Sequence, residues 1–345
     1  MSTFKNLTEL YDFFKTEEIC KSYYEQKRWG GNPACPHCGN AGKIYRTNRG
    51  FKCGEKLCSK KFSVISGTIF ENTKIGLRTW FAAMYLISTC KKGISSLQLA
   101  EQLGITQKSA WFVNHRIREM LKDNDTNKLE GQVQADETYV GGKNKNRHAD
   151  KKIDADDRCS GKTPVVGVIQ KDGKVRTFVV KTVDAPTLHT IMGDNVQEGS
   201  VLVTDSHAGY VGLNTRYTHI SVKHVDNGYV VKIGGEKFHT QNIENFWSTF
   251  KRGIIGVYHF VSEKHLQRYC TEFSYRYNNR QSSGVAKFDE ALLGVDNKRL
   301  TYSKLIGKLS DKQIDALGDK YIKNPPLSSD SWLDDIDVNS LPMGN

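Results

Sequence analysis

Three carboxylates lie where the sequence pattern predicts buried secondary structure. Asp136 is inside the strand-like run VQADETYVGG, Asp205 ends the run SVLVTD, and Glu244 lies in the helical pattern HTQNIENFWSTFKRGI. A carboxylate in or just after a central strand is costly to bury unless it is paired or binds a metal ion. A helix packed on the sheet could bring all three together to hold two divalent ions, which activate the attacking oxygen and stabilise the leaving oxygen in phosphoryl transfer. The alternative is three unrelated surface or strand-end acids.

The segment around Glu244 also carries a lysine on the same side. Glu244, Ser248 and Lys251 are spaced i, i+4 and i+7, which places them on one face of a helix. The apolar residues of the segment fall on the other face: Ile243, Phe246, Trp247, Phe250 and Ile254. We therefore predict that Lys251 meets a DNA phosphate beside the carboxylates.

Four cysteines near the N-terminus have the spacing of a zinc site. They are Cys35, Cys38, Cys53 and Cys58, in the two segments CPHC and CGEKLC. Two such pairs can bring four thiolates to one tetrahedral Zn²⁺, which leaves no position for water and makes the site structural. Gly39 suits the tight turn of a zinc knuckle, and KIYRTNRGFKC between the pairs has the pattern of a hairpin. His37 is a possible ligand, although the four cysteines already complete the shell. The alternative is that the pairs bind no metal.

Residues 93–121 have the pattern of a helix-turn-helix. Ser96 can cap a first helix, Gly104 allows the tight turn, and Thr106 can cap a second helix. The core-facing residues of the second helix would be Ala110, Trp111, Val113 and Ile117. Five polar residues would be available to a DNA groove: Gln107, Lys108, Asn114, Arg116 and Arg118. The alternative is an ordinary pair of helices within a larger domain.

The remaining pattern predicts the elements that position these groups. Residues 4–28 read as one or two amphipathic helices. From Gly131 the pattern changes to strands, and the two-sided apolar runs VVGVI and VLVT predict central ones. Residues 240–280 return to helix. The basic residues of loop 141–152 either are solvated or contact DNA: Lys143, Lys145, Arg147, Lys151 and Lys152. The acidic tail from Pro325 is predicted to be flexible.

The charge balance favours a polyanionic partner. The chain has 50 Lys and Arg against 38 Asp and Glu, a net charge of +12, and basic side chains that neutralise phosphates release counterions on binding. A basic surface kept for solubility is the alternative. The longest mostly apolar stretch, Trp80 to Cys90, is far shorter than the ~20 residues of a membrane span, and the N-terminus lacks a signal-peptide pattern. We therefore expect a soluble intracellular protein with no membrane partner.

Several of these segments resemble one known family. ADETYVGGK, GKTPVVGV, TDSHAGY and the stretch from HTQNIENFW to FSYRYNNR resemble the catalytic domain of the ISXO-like bacterial insertion-sequence transposases, which are related to eukaryotic Merlin elements. RWGGNPACPHCG and the second cysteine pair resemble their zinc ribbon, and the resemblance covers roughly residues 15–285. It implies an α/β, RNase H-like fold and a DDE-type active site, with Asp136, Asp205 and Glu244 as the triad and Lys251 two turns after the glutamate. Many members carry Asn at the third position, and Glu fits the fuller metal site.

The resemblance implies a transposase that binds the terminal inverted repeats of its own element. It would cut with a metal-activated water and join the freed 3′-hydroxyl to target DNA, using two Mg²⁺ or Mn²⁺ ions beside the structural Zn²⁺. The implied partners are double-stranded DNA, as element ends and target, and further copies of the chain in an end-paired complex. The implied location is the bacterial cytoplasm, at the nucleoid. Arg252 joins the predicted DNA contacts. Two rivals stay open: a zinc-ribbon and helix-turn-helix regulator that does not cut, and a hydrolytic nuclease without strand transfer.

The predicted organisation has five parts. N-terminal helices occupy residues 1–28 and the zinc ribbon residues 29–70. The helix-turn-helix region spans 74–128, the RNase H-like domain 130–285, and a C-terminal extension with the acidic tail 286–345.

Overall fold

The computed structural model describes residues 4–123, 125–142, 161–222, 230–296 and 298–307. Residues 1–299 form one compact unit, and the second unit begins at Leu300 and contains helix α10 (Tyr302–Ile306). The other helices are α1 (Leu7–Phe13), α2 (Glu17–Trp29), α3 (Leu77–Thr89), α4 (Ser96–Leu103), α5 (Gln107–Met120), α6 (Ala185–Asn195), α7 (Gln241–Gly253), α8 (Glu263–Asn278) and α9 (Gly284–Leu293). The strands are β1 (Ile44–Thr47), β2 (Gly50–Cys53), β3 (Lys61–Phe62), β4 (Gln132–Val140), β5 (Thr163–Gln170), β6 (Val175–Val179), β7 (Val201–Thr204), β8 (Thr218–Ser221), β9 (Val231–Ile233) and β10 (Glu236–Phe238). The predicted basic loop residues Lys143, Lys145 and Arg147 and the acidic tail lie outside the described residues.

The central sheet has the strand order β6-β5-β4-β7-β8. The first three strands pair antiparallel, whereas β7 runs parallel to both β4 and β8. Strands β5 and β7, which contain the two-sided apolar runs, lie on either side of the middle strand β4 and are buried over most of their length, as that pattern predicted. This mixed sheet with flanking helices confirms the predicted RNase H-like fold.

Helices cover both faces of the central sheet. On one face α7 and α8 pack against β4, β5 and β6, in a core that contains Val165, Ile169, Phe250 and Phe273. On the other face α6 packs against β5. Because successive residues of a strand point to opposite faces, neighbouring residues of β4 belong to different layers.

The N-terminal helices share a core with α9. Phe288 on α9 contacts the rings of Phe4, Phe14 and Phe81, and α9 packs against α2 and α3. The boundary predicted at residue 286 therefore falls inside a helix that belongs to this helical core.

The predicted helix-turn-helix is present as α4 and α5. Gly104 has the left-handed backbone conformation (φ 64°), and the Thr106 side chain accepts a hydrogen bond from Ser109 N–H, as predicted. The first helix is capped by Ser95 and not by Ser96, because the Ser95 side chain accepts from Gln98 N–H.

Three polar side chains of α5 that were predicted to be exposed are buried. Asn114, Arg116 and Arg118 are only 2%, 5% and 2% exposed, because α5 packs against α3 and α8 as well as α4. The Arg118 guanidinium donates to Glu272 on α8 (2.5 Å), and Arg116 donates to the carbonyl of Glu71 (3.1 Å). The prediction that these three side chains are available to a DNA groove is therefore wrong. Lys108, in the first turn of α5, is exposed.

The Glu272 carboxylate is the centre of a buried ionic cluster. It accepts from Arg118, from the Tyr258 hydroxyl (2.5 Å) and from Arg276. The two guanidinium groups hold the pKa of Glu272 below its usual range although burial opposes this. The cluster joins α5 and α8 to the segment that follows α7.

We expect Glu272→Gln to lower the free energy of unfolding by about 3–5 kcal/mol, because it leaves buried guanidinium charges without their counter-ion. Urea denaturation followed by circular dichroism measures this. The matched control is Glu198→Gln, which removes the partner of Arg216 at an exposed ion pair and should cost about 0–1 kcal/mol. Equal effects of the two substitutions would contradict the role of the cluster.

Candidate active site and metal centre

The two predicted catalytic aspartates lie side by side on neighbouring parallel strands. Gln134 of β4 pairs in register with Val203 of β7, so two residues further along each strand Asp136 comes level with Asp205. Asp205 directly follows the end of β7, and its carboxylate accepts a hydrogen bond from His207 N–H (3.0 Å). Adjacent strands lie ~4.8 Å apart, so this register brings the two side chains to one edge of the strand pair.

Helix α7 brings Glu244 to the same face of the sheet. The N–H groups of Asn242 and Ile243 donate to the side-chain oxygen of Gln134 at 3.0 and 3.2 Å. Gln134 and Asp136 are two residues apart on β4 and so share a face. Glu244 lies in the first turn of α7, where its carboxylate accepts from the Thr240 hydroxyl (2.5 Å).

A glycine allows α7 to approach the sheet at this level. Gly167 of β5 pairs directly with Asp136, and a Cβ atom at Gly167 would lie 2.5 Å from the Trp247 ring and 2.9 Å from the Ile243 side chain. Any larger residue would therefore push the helix that carries Glu244 away from the strand that carries Asp136.

The three acids interact electrostatically. Burial raises the pKa of Asp136 to about 7, and the negative charges of Glu137, Asp205 and Glu244 contribute in the same direction. The carboxylate oxygens are nevertheless not gathered as tightly as the cysteine sulfurs. Among the described residues, the four cysteines form the one group of three or more ligating side chains in which all donor atoms lie within 4.8 Å of one another. The three carboxylates do not meet this distance.

Sequence reasoning missed the role of Glu137. Its carboxylate, on the strand next to Asp136, accepts a hydrogen bond from the Tyr210 hydroxyl (3.0 Å). Tyr210 is 1% exposed and lies in the 3₁₀ turn Ala208–Tyr210 that follows Asp205. Burial, and then the charge of Asp205, raise the pKa of Glu137. The hydrogen bond therefore ties β4 to the loop after β7, and only the alternation of the strand hinted that Glu137 faces away from Asp136.

The basic residues predicted after Glu244 are at the surface. Lys251 and Arg252 are exposed in the last turn of α7, and the Arg252 guanidinium donates to the Ser248 hydroxyl (2.8 Å). The chain continues as a π-helical turn, Ile254–Tyr258, in which Ile255 is 70% exposed. These positions agree with the predicted contact to phosphates without testing it.

The four cysteine sulfurs all lie within 4.8 Å of one another, close enough to bind one metal ion. The Sγ atoms of Cys35 and Cys58 are 3.8 Å apart and those of Cys38 and Cys53 are 3.6 Å apart. Zn–S bonds of ~2.3 Å in a tetrahedron require S···S edges of about 3.8 Å. The residues therefore fit Zn²⁺, as predicted.

Two short turns and a small aromatic core hold these sulfurs. Gly39 after the first pair has φ 77°, and Ser59 holds the corresponding left-handed position after the second pair with φ 47°. The antiparallel strands β1, β2 and β3 join the turns, and Trp29, Phe51 and Phe62 pack beneath them. This is a zinc-ribbon arrangement.

Comparison with known proteins agrees with these observations. Residues 128–278 match the ISXO2-like transposase domain, and residues 15–61 match the transposase zinc-ribbon domain. An uncharacterised protein in transposable element ISH50 of Halobacterium salinarum is 26% identical over 280 residues, which cover 76% of this chain and 91% of the relative.

Solved structures of Mos1 transposase were also found. The Mos1 strand transfer complex is 13% identical over 60% of this chain and 77% of that one, with a TM-score of 0.20, and the paired-end complex with the left transposon end is 13% identical over 60% and 78%, with a TM-score of 0.19. These scores are too low to support any structural argument.

The two domain matches identify a transposase, an enzyme that cuts DNA. More narrowly, the chain belongs to the ISXO2-like transposases of insertion sequences, with their N-terminal zinc ribbon. The family resemblance seen in the sequence is thus confirmed. Among the described helices, none is both long and apolar enough to cross a bilayer.

We expect Cys35→Ser to lower the zinc content and to unfold the ribbon, because metal ligation there supplies folding free energy. Elemental analysis and limited proteolysis of the purified protein measure the two effects. Cys20→Ser, at a buried cysteine that is not one of the four clustered cysteines, is the control and should keep its zinc. Full zinc content in Cys35→Ser would contradict the ligand assignment.

Asp136 should make stability depend on pH when no Mg²⁺ or Mn²⁺ is added. Its folded pKa of about 7 exceeds the ordinary value of 3.8, so its contribution is fully present below about pH 4 and is lost as pH rises through 7. Asp136→Asn should therefore raise the free energy of unfolding at pH 8, by up to about 4 kcal/mol, and change it little at pH 4. Urea denaturation at both pH values measures this.

Asp184→Asn is the control for that pH dependence. Hydrogen bonds from Thr187 and Thr182 hold the pKa of Asp184 below its usual range, so the substitution should give no stabilisation at pH 8. A gain equal to that of Asp136→Asn would show that the effect is not specific to the cluster of acids.

Proposed function

We propose that this transposase binds the terminal inverted repeats of its element, cuts the DNA there and joins the freed 3′-hydroxyl to target DNA. The observation that carries the proposal is the register of β4 and β7, which brings Asp136 level with Asp205 on the face where α7 presents Glu244. Carboxylates on two central strands and one packed helix form a donor set suited to divalent ions.

These three carboxylates would hold two Mg²⁺ or Mn²⁺ ions, and the raised pKa of Asp136 supports this. Bound ions would supply activation of the attacking oxygen and stabilisation of the leaving oxygen. The chain's own contribution is to fix the carboxylates. β4 and β7 hold the two aspartates in register, and the Thr240 hydroxyl fixes the Glu244 side chain at the start of α7.

A covalent protein–DNA intermediate does not fit Tyr210, which lies beside this site, or Tyr258, which follows the far end of α7. The Tyr210 hydroxyl donates to Glu137 and the Tyr258 hydroxyl donates to Glu272. Burial raises the pKa of each tyrosine, which makes both poor nucleophiles at neutral pH. The nucleophiles in our proposal are therefore water for cutting and the DNA 3′-hydroxyl for joining.

The DNA path would follow exposed basic residues near the carboxylates. Lys251 and Arg252 lie two turns after Glu244, and a Cβ at Gly253 would lie 2.9 Å from the Lys92 carbonyl, so the Lys91–Lys92 segment borders the same end of α7. Lys108 would contribute a phosphate contact from α5. Such contacts add affinity for double-stranded element ends and target DNA without reading sequence. Pairing two ends would require more than one copy of the chain.

We expect Asp136→Asn and Glu244→Gln each to abolish cleavage of a labelled element end while binding of that DNA stays close to wild type. Each substitution removes a negatively charged ligand but keeps side-chain volume. Cleavage is measured on denaturing gels and binding by fluorescence anisotropy. Lys251→Ala should weaken cleavage and lower the salt dependence of binding, because it removes one phosphate contact.

Cleavage at the wild-type rate in Asp136→Asn or Glu244→Gln would refute the triad. A strand-transfer assay with a pre-cut end separates the two remaining enzyme classes. Joined product supports a transposase, and cleavage without any joined product would indicate a hydrolytic nuclease.

A further inference from the structure

Helix α7 begins without a cap from its N-cap side chain. Thr240 makes no side-chain hydrogen bond to the first backbone amides, and its hydroxyl donates to the Glu244 carboxylate. The first amide, on Gln241, donates to the ring nitrogen of His239 (3.3 Å). The first N–H groups of a helix need acceptors from outside the helix. Two of them, on Asn242 and Ile243, donate to the side-chain oxygen of Gln134 on β4.

The Gln134 side chain is therefore a cap supplied by a different element. Gln134 is fully buried, and it precedes Asp136 by two residues on the same strand face. Both of its hydrogen bonds come from backbone amides, so they locate the first turn of α7 itself. One of the two donors, Ile243, is the residue before Glu244. A single carboxamide thus joins the strand of Asp136 to the helical turn of Glu244.

The contact at Gly167 adds a second constraint on the same helix. The side chains of Ile243 and Trp247 occupy the space that a Cβ at Gly167 would need, so α7 lies tightly against β5. Packing limits how near the helix comes to the sheet, but packing alone does not set its position along its own axis. The directional hydrogen bonds to Gln134 supply that position.

We propose that Gln134 is a positioning residue for the reaction, which fixes the distance between Asp136 and Glu244 by capping α7. The inference rests on the proposed function of these two acids as ligands of divalent ions. Gln134 acts through the helix and is not itself a ligand. Groups that orient metal ligands typically change metal affinity or activity by about 10- to 100-fold when they are removed.

Three variants of the full-length, zinc-loaded protein test this. Gln134→Met keeps the length of the side chain but removes the oxygen acceptor. Gln134→Glu keeps acceptors for both amides, and a negative charge is favourable at a helix N-terminus. Gln132→Met makes the same change one pleat earlier on the same strand face, and among the described hydrogen bonds the Gln132 side chain makes none to α7.

The measurements are Mn²⁺ binding by calorimetry, cleavage of an element end over a Mg²⁺ titration, and binding of that DNA by anisotropy. We expect Gln134→Met to weaken Mn²⁺ binding, and to raise the Mg²⁺ concentration for half-maximal cleavage, by about tenfold or more. DNA binding and zinc content should stay close to wild type. Gln134→Glu should restore Mn²⁺ binding, and Gln132→Met should match the wild type.

Wild-type Mn²⁺ binding in a folded Gln134→Met would overturn the inference, as would an equal loss in Gln132→Met. If Gln134→Met does not unfold cooperatively, Gln134→Glu decides. Retained Mn²⁺ binding supports the inference, and loss of binding in that folded variant overturns it. The Asp136→Asn variant tests the proposed function independently of Gln134. Normal cleavage by Asp136→Asn would refute the triad, whatever the result for the Gln134 variants.

Discussion

The clustering of several carboxylates in a partly buried region of one strand pair is the constraint on which this structure depends. Asp136 is half-buried beside Glu137, Asp205 and Glu244, and burial, together with the negative charges of these three acids, raises its pKa. Such an arrangement would separate if the elements that carry the acids could move. The surrounding hydrogen bonds and packing oppose that movement, as expected of a site where local strain is compensated elsewhere.

Different contacts hold each pair of elements against this repulsion. Backbone pairing in parallel register fixes β4 beside β7, and the Tyr210–Glu137 hydrogen bond ties the loop after Asp205 to the opposite side of β4. The hydrogen bond to Gln134 and the close packing against Gly167 hold α7 on the sheet. The far end of α7 continues into the segment of Tyr258, which the buried Glu272 anchors to α5 and α8. The carboxylates are thus supported from both faces of the sheet.

Local signals made part of this structure predictable. The cysteine spacing identified the ribbon, Gly104 and Thr106 identified the turn and cap of the helix pair, and two-sided apolar runs identified β5 and β7. Each of these features involves residues close together in the chain. The strand position of Asp136, the helical position of Glu244 and the shared face with Lys251 followed from the same kind of pattern.

The errors arose where partners are distant in the chain. Arg118 looked like a surface residue of a recognition helix because its partner Glu272 is 154 residues away, and nothing local to either residue indicates the pair. The Gln134 side chain accepts a hydrogen bond from Asn242 of α7, which is 108 residues away in the chain. Glu137 was overlooked beside Asp136, although strand alternation alone places the two acids on opposite faces.

The burial of α5 changes how this protein can recognise DNA. A recognition helix needs side chains that reach base edges, yet Asn114, Arg116 and Arg118 are buried, and the two arginines donate to Glu71 and Glu272 outside α5. Only the first turn of α5, with Lys108, remains exposed among the predicted contacts on that helix. Arg116 and Arg118 therefore stabilise the packing of α5 and cannot read base edges in this arrangement, and the exposed first turn of α5 leaves room for phosphate contacts, which carry no sequence information.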